Sequence, residues 1–213
     1  MIELQNIKPT PLLPNGIKAN SQTWGTSYQF KKGKKYLITA PSGKGKSTFI
    51  HIIYGLRFDY EGELVLEGQA ARKIDKLTWS EIRQKQLSVV FQDLRLFLQL
   101  TSLENIQIKN DLQPHKTVGE IEEMAEYLGV KDLLDKACAT LSYGQRQRIA
   151  IIRSLCQPFD FLLLDEPFSH LDEENIQKVT ELINQECIQQ KAGLILVSLG
   201  ERYKFEYHDE LIL

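Results

Sequence analysis

The sequence predicts an α/β fold, a parallel-stranded core interrupted by a helical insertion, and three observations predict it. Short continuous apolar runs, Phe161-Leu162-Leu163-Leu164 and Leu194-Ile195-Leu196-Val197, suit strands covered on both faces. Strand-like and helix-like stretches alternate along the chain, as crossovers of a parallel sheet require. The glycine-rich segment 40–48 lies between a predicted strand and a predicted helix.

In chain order, Ile2-Glu3-Leu4-Gln5-Asn6-Ile7 alternates like a half-buried strand, and Pro9, Pro11 and Pro14 then force a loop. Lys35 to Thr39 reads as a strand entering the glycine-rich turn. From Ser47 to Tyr54, Phe49, Ile50, Ile52 and Ile53 mark a buried helix stopped at Gly55. Glu63 to Glu67 alternates again between glycines, and Leu87 to Phe91 is a core strand. Residues 93–139 read as mainly helical, most clearly at Val118 to Leu128. There Ile121, Ala125 and Leu128 share one face while Glu120, Glu122, Glu123 and Glu126 lie elsewhere. No repeat or low-complexity tract is visible.

The chain has 213 residues, enough to bury a substantial core, and a net charge of −2, which gives no global reason to bind nucleic acid. Lys31, Lys32, Lys34 and Lys35 form one basic cluster, read as a solvated turn, with contact to lipid headgroups as the alternative. Cys138, Cys156 and Cys187 are odd in number and widely spaced, which suits reduced thiols in the cytosol. No apolar run reaches the roughly 18 residues needed to span a bilayer, and the N-terminus lacks the apolar core of a signal peptide. Work at a membrane therefore needs a partner to hold the chain there.

Ala40-Pro41-Ser42-Gly43-Lys44-Gly45-Lys46-Ser47-Thr48 has the strand-loop-helix setting of a phosphate-binding loop. Its glycines let backbone N–H groups turn inward, and the helix start adds partial positive charge. Lys46 would reach the β and γ phosphates, and the Ser47 hydroxyl would ligate Mg2+. The usual first glycine is Ala40 here. Asp165-Glu166 closes an apolar strand at the carboxyl edge, where α/β sheets bind ligands. Asp165 would hold magnesium through its water shell, and Glu166 would orient or deprotonate an attacking water. Ser142 and Gln145 in Leu141-Ser142-Tyr143-Gly144-Gln145 form a capping box before a helix running from Arg146 to Leu155. A serine-glycine helix start is also an anion site.

At this point the chain resembles the ATP-binding-cassette family, whose L-S-G-G-Q signature is L-S-Y-G-Q here. Gln92 matches the Q-loop glutamine, Asp165-Glu166-Pro167 the second Walker motif, and Ser169-His170-Leu171-Asp172 the D-loop. The resemblance implies a P-loop NTPase with a RecA-like parallel core, an antiparallel β subdomain and an inserted α-helical signature subdomain. Residues 1–213 would form one domain, with 1–92 and 156–213 as core and β subdomain and 93–155 as the helical part. It implies ATP and Mg2+ as ligands, and magnesium contacts from Ser47, Gln92 and Asp165. Catalytic roles would fall to Glu166, Gln92 and Lys46. Nucleotide contacts would come from 40–48 and, across a dimer of two such domains, from Ser142, Gly144, Gln145 and Asp172. The implied protein is an ATP-hydrolysing subunit of a transporter or extrusion complex. It would be a homodimer or paired with another cassette, bound to an integral membrane permease on the cytoplasmic face of the cell membrane, without nucleic acid. Residues 91–97 and 100–105 look like the ATPases of lipoprotein-release, macrolide-efflux and cell-division systems, and a regulatory ATPase of slow turnover is the alternative function.

Two departures stand out. The family histidine after the last core strand is Leu199 here, which predicts slow turnover, and His208 does not align with it. The adenine-stacking aromatic falls near Pro11, leaving Pro11 or Leu12 as an apolar contact and Trp24 or Tyr28 as substitutes. His51 reads as packed or capping, and His170 as an interface residue. Trp79, Phe97 and Leu98 fit either a partner surface or ordinary core.

Overall fold

The computed structural model describes residues 1–15 and 20–213. Nine strands form two sheets among these residues. The larger holds β3 (Lys35–Thr39), β6 (Leu87–Val90), β7 (Phe161–Asp165), β8 (Gly193–Ser198) and β9 (Asp209–Ile212), ordered β6-β7-β8-β3-β9. Every pairing in it is parallel. The smaller sheet is antiparallel and holds β1 (Ile2–Pro9), β2 (Ser27–Phe30), β4 (Tyr60–Leu66) and β5 (Gln69–Ala70), ordered β2-β1-β4-β5.

The alternation of side chains along each central strand sorts residues to two cores. Ile38, Leu163, Ile195 and Val197 face the antiparallel sheet and α1 (Lys46–Ile53), where they meet Ile2, Leu4, Phe30, Phe49 and Ile53. Leu37, Leu162, Leu164, Leu194 and Leu196 face the other way, onto helices. These are α3 (Ser102–Asn110), α4 (Val118–Tyr127), α5 (Tyr143–Leu155) and α6 (Glu173–Gln190). Strands buried on both sides explain why their sequence is continuously apolar. Ile106, Ile121 and Ile149 lie in this second cluster, so the helical insertion shares its core with the sheet.

The expectation for 93–139 holds in part. Thr101 with Glu104, and Thr117 with Glu120, close capping boxes that start α3 and α4. Ile121, Ala125 and Leu128 are buried as the periodicity predicts. Residues 93–101 are instead not helical, because Leu94 and Arg95 adopt left-handed backbone and the Asn105 amide captures Phe97, and 111–117 form a loop in which the Asn110 side-chain carbonyl accepts from His115 N and Lys116 N. A helix at α2 (Lys76–Lys85), capped by Asp75, was not anticipated; only Trp79 and Ile82 of it are buried. All three cysteines are free and buried, and burial pushes the Cys156 and Cys187 thiols up to about 12.

Candidate functional site

All the parallel strands point the same way, so β3, β6, β7 and β8 deliver their following residues to one edge. After β3 comes 40–48, after β6 comes Gln92, at the end of β7 lie Asp165 and Glu166, and after β8 comes Leu199. Gly45 enters α1 at φ 97°, a left-handed conformation that side-chain-bearing residues avoid. A Cβ there would lie 2.8 Å from Leu12 Cδ1, a side-chain tip that could give way, so it is the backbone conformation that requires glycine.

Lys46 is 6% exposed, and its ammonium donates to the Ala40 carbonyl at 3.0 Å and pairs with Glu166 Oε1 at 3.2 Å. The Gln92 amide donates to Glu166 Oε2 at 3.4 Å. A buried ammonium needs such partners, and a polyphosphate would offer it more negative charge than one carboxylate. A cleft of about 240 Å³ opens beside them, lined by Ser42, Gly43, Gly45 to Thr48, Leu12, Gln92 and Glu166. A second cleft of about 190 Å³ adjoins at Ser47 and Gln92 and reaches Asp165, His51 and Arg95. Ala40 is buried behind the loop, Pro41 O accepts from Lys44 N, and Pro41 and Lys44 are exposed.

Asp165 is 1% exposed, and burial raises its carboxyl above the usual range, with the neighbouring Glu166 pushing the same way. The Ser47 hydroxyl and the Lys46 ammonium pull it down. Its Oδ1 has no hydrogen-bond partner within the protein. A buried oxygen of this kind, beside a hydroxyl and an amide, is a hard donor set that fits a small divalent cation completed by phosphate oxygens and water. No cluster of three or more His, Cys, Asp or Glu suited to a metal occurs among the described residues.

The remaining anticipated residues lie elsewhere: none of Ser142, Gly144, Gln145 or Asp172 lines either cleft. Ser142 caps α5 from an exposed position, accepting from Gln145 N at 3.3 Å and donating its own N–H to Gln145 Oε1 at 2.9 Å. The helix therefore begins at Tyr143, three residues earlier than its apolar pattern suggests. A Cβ on Gly144 would come within 2.8 Å of the His170 carbonyl, so only glycine allows the D-loop this close to α5. Asp172 caps α6 by accepting from Asn175 N, and that bond lowers its pKa. One chain thus carries two separate sets of polar groups, one around the cleft and one at an exposed helix start.

The departures also find their places. Leu199 is 52% exposed at the site edge, next to Ser198, whose carbonyl accepts from Ala40 N. His208 N donates to Lys35 O, at the opposite end of β3 from the 40–48 loop, so His208 does not stand at the position of Leu199. Trp24 is buried and Tyr28 is bonded to Asp209, while Leu12 alone of the four candidates lines the cleft. His51 is half-buried between Phe91 and Arg95, a packing role; burial lowers its pKa, as do Arg95 and Arg57. Trp79 is core, whereas Phe97 and Leu98 are exposed. Tyr143 and Arg153, which bond the backbone around Gln92, were not anticipated, because those contacts span more than 50 residues of sequence.

Comparison with known proteins gives a consistent pattern. Residues 24–169 match the family model described as ABC transporter. The chain is 36% identical, over its whole length and 86% of the relative, to a probable ABC transporter ATP-binding protein, PEB1C, of Campylobacter jejuni. It is 35% identical, over 81% of this chain and 73% of the relative, to the thiamine import ATP-binding protein ThiQ of Escherichia coli K12. Among solved structures it resembles a dimeric structure of MJ0796, a bacterial ABC transporter cassette, with TM-score 0.80 at 26% identity over 93% of this chain and 88% of that one. A dimeric post-hydrolysis form of the same cassette bound to ADP and Pi superposes with TM-score 0.78.

Proposed function

This chain belongs to the ABC transporter family as an ATP-binding subunit and ATPase, and from that premise we propose how its own residues do the work. Two cassettes, either two copies of this chain or one copy and a paired relative, clasp two ATP molecules between them. In each half, the backbone N–H groups of 42–48 cradle the phosphates, and Lys46 turns from Glu166 to the β and γ phosphates. Ser47, Gln92 and Asp165 hold Mg2+, which when bound offsets phosphate charge. Glu166, released by Lys46 and steadied by Gln92, orients the attacking water. Ser142, Gly144 and Gln145 present the positive start of α5 to the partner's γ phosphate, with Asp172 near the seam.

The observation that carries this reading is the separation of the two polar sets. Lys46, Glu166 and Gln92 converge at one cleft, while the capped start of α5 faces solvent outside it. An exposed anion site unused by its own cleft makes sense when a second nucleotide docks there. The dimers described for MJ0796 support it.

The same reading assigns the chain to a membrane permease on the cytoplasmic face of the cell membrane. No helix among the described residues is long and apolar enough to cross a bilayer, so a partner must supply the passage. Exposed Phe97 and Leu98, on the loop after Gln92, suit that contact. Assignment to release, efflux or cell-division systems rests on residues 91–105 alone, whereas the related ThiQ is named for thiamine import. Leu199 favours a second reading, a regulatory cassette of slow turnover. Capture with the Glu166→Gln variant and ATP separates the two. A polytopic membrane protein retained only with nucleotide supports transport. Retention of other proteins alone supports regulation, and binding that ignores ATP refutes both.

A further inference from the structure

We propose that Tyr143 is a positioning residue for Gln92, tying the loop that carries Gln92 to the first turn of α5; this rests on the functional reading above. The Tyr143 hydroxyl donates to the Gln92 carbonyl at 2.5 Å. Its ring is fixed by His170, centroids 4.2 Å apart, and by the Arg146 guanidinium 5.6 Å from the ring centre. A tyrosine stands here where the family signature has glycine, so the hydroxyl is a contribution of this chain rather than of the motif.

The far end of the same helix holds the same loop. Arg153, half-buried, donates to the Arg95 carbonyl at 2.8 Å and also to the Leu94 carbonyl. Leu94 and Arg95 sit at φ 60° and 47°, left-handed values that side chains disfavour. Such a conformation persists only when its surroundings hold it, and both sets of bonds come from α5. The two anchor points are ten residues apart on the helix, about 15 Å at 1.5 Å rise per residue. Residues 92–95 and α5 therefore move as one body.

The consequence reaches the chemistry. Gln92 lies 3.4 Å from Glu166, and Glu166 lies 3.2 Å from Lys46. Displacement of the first turn of α5, where the partner's nucleotide would land, shifts the Gln92 carbonyl through the hydroxyl and moves its amide relative to Glu166. Occupation of one nucleotide site is thereby reported to the other, with the tyrosine hydroxyl as the link to Gln92 itself.

Two readouts test this on full-length protein: backbone amide exchange without nucleotide, and steady-state ATP hydrolysis, each for wild type, Tyr143→Phe and Tyr143→Gly. Tyr143→Phe keeps the ring against His170 and removes only the hydroxyl. Exchange over residues 92–96 should rise, and kcat should fall, about five-fold in both variants, the factor one net hydrogen bond contributes. The KM for ATP and the melting temperature of Tyr143→Phe should stay at wild-type values, which separates positioning from a structural role. Unchanged exchange over 92–96, or unchanged kcat, overturns the proposal. A wild-type chain that hydrolyses no ATP defeats the functional reading instead, since exchange without nucleotide still decides whether the tether exists.

Discussion

Replacing Asp165 with asparagine should stabilise the nucleotide-free protein while removing its response to magnesium-ATP. The carboxylate is 1% exposed, adjoins Glu166, and has one oxygen without a hydrogen-bond partner in the protein. A buried polar group left unsatisfied costs about 1–3 kcal/mol. Asparagine leaves a polar atom in the same place but sheds the buried charge and its repulsion from Glu166, a penalty that exceeds the neutral one, so the variant should gain about 1–3 kcal/mol. For a domain of this size each kcal/mol moves the melting temperature by about 2–4 °C, giving a rise of about 2–12 °C. Calorimetry without nucleotide measures the gain. The same scan with saturating Mg-ATP should raise wild type further by linkage and leave the variant unmoved. A variant that melts at or below wild type without nucleotide, or that gains as much from Mg-ATP, refutes the reasoning.

Other consequences follow from the same structure. Lys116 and Glu186 pair at 2.7 Å with exposures of 6% and 8%. Lys116→Met should cost about 3–5 kcal/mol by stranding the carboxylate, while the double variant with Glu186→Leu should recover most of it; urea unfolding of the three proteins decides. Purified wild type should turn over slowly, and Leu199→His should raise kcat at least about ten-fold, the scale of a group stabilising transition-state charge; equal rates in a phosphate-release assay would remove Leu199 from the account. The Lys109 amine is held down to about 8 by burial, with Arg153 and Arg83 adding to the effect. Because its folded pKa lies below its unfolded one, it disfavours folding below pH 8 and the penalty fades toward pH 10. Lys109→Met should therefore stabilise at pH 7 and lose that advantage near pH 10, read from denaturation midpoints.

Much of the fold was legible because its causes are local. Runs such as 161–164 and 194–197 are apolar because those strands are covered on both faces, and both proved central. The loop 40–48 and the pair Asp165-Glu166 were readable because sequence neighbours make those sites. Edge elements were not. β9 buries only Leu211 of its four residues, and β2 only Phe30, so neither carries a strand pattern. α2 shows two buried side chains in ten, too few for a clear period. Residues 93–101 contain enough leucine to imitate a helix, yet Arg153 and Asn105, far off or on the next helix, hold them open. Of the site, the Tyr143 contact to Gln92 was invisible for the same reason: no spacing rule links residues 51 apart.

The central claim is that triphosphate is enclosed by two cassettes, Lys46 from one and Ser142 from the other. Light scattering on Glu166→Gln with Mg-ATP tests it most directly, with Ser142→Arg added as the control that blocks the facing surface. The account predicts a mass of twice 24.5 kDa with ATP and a return to 24.5 kDa when Ser142→Arg is introduced. A single cassette carrying bound ATP, in the purified variant and in the complex drawn from the membrane alike, would contradict it.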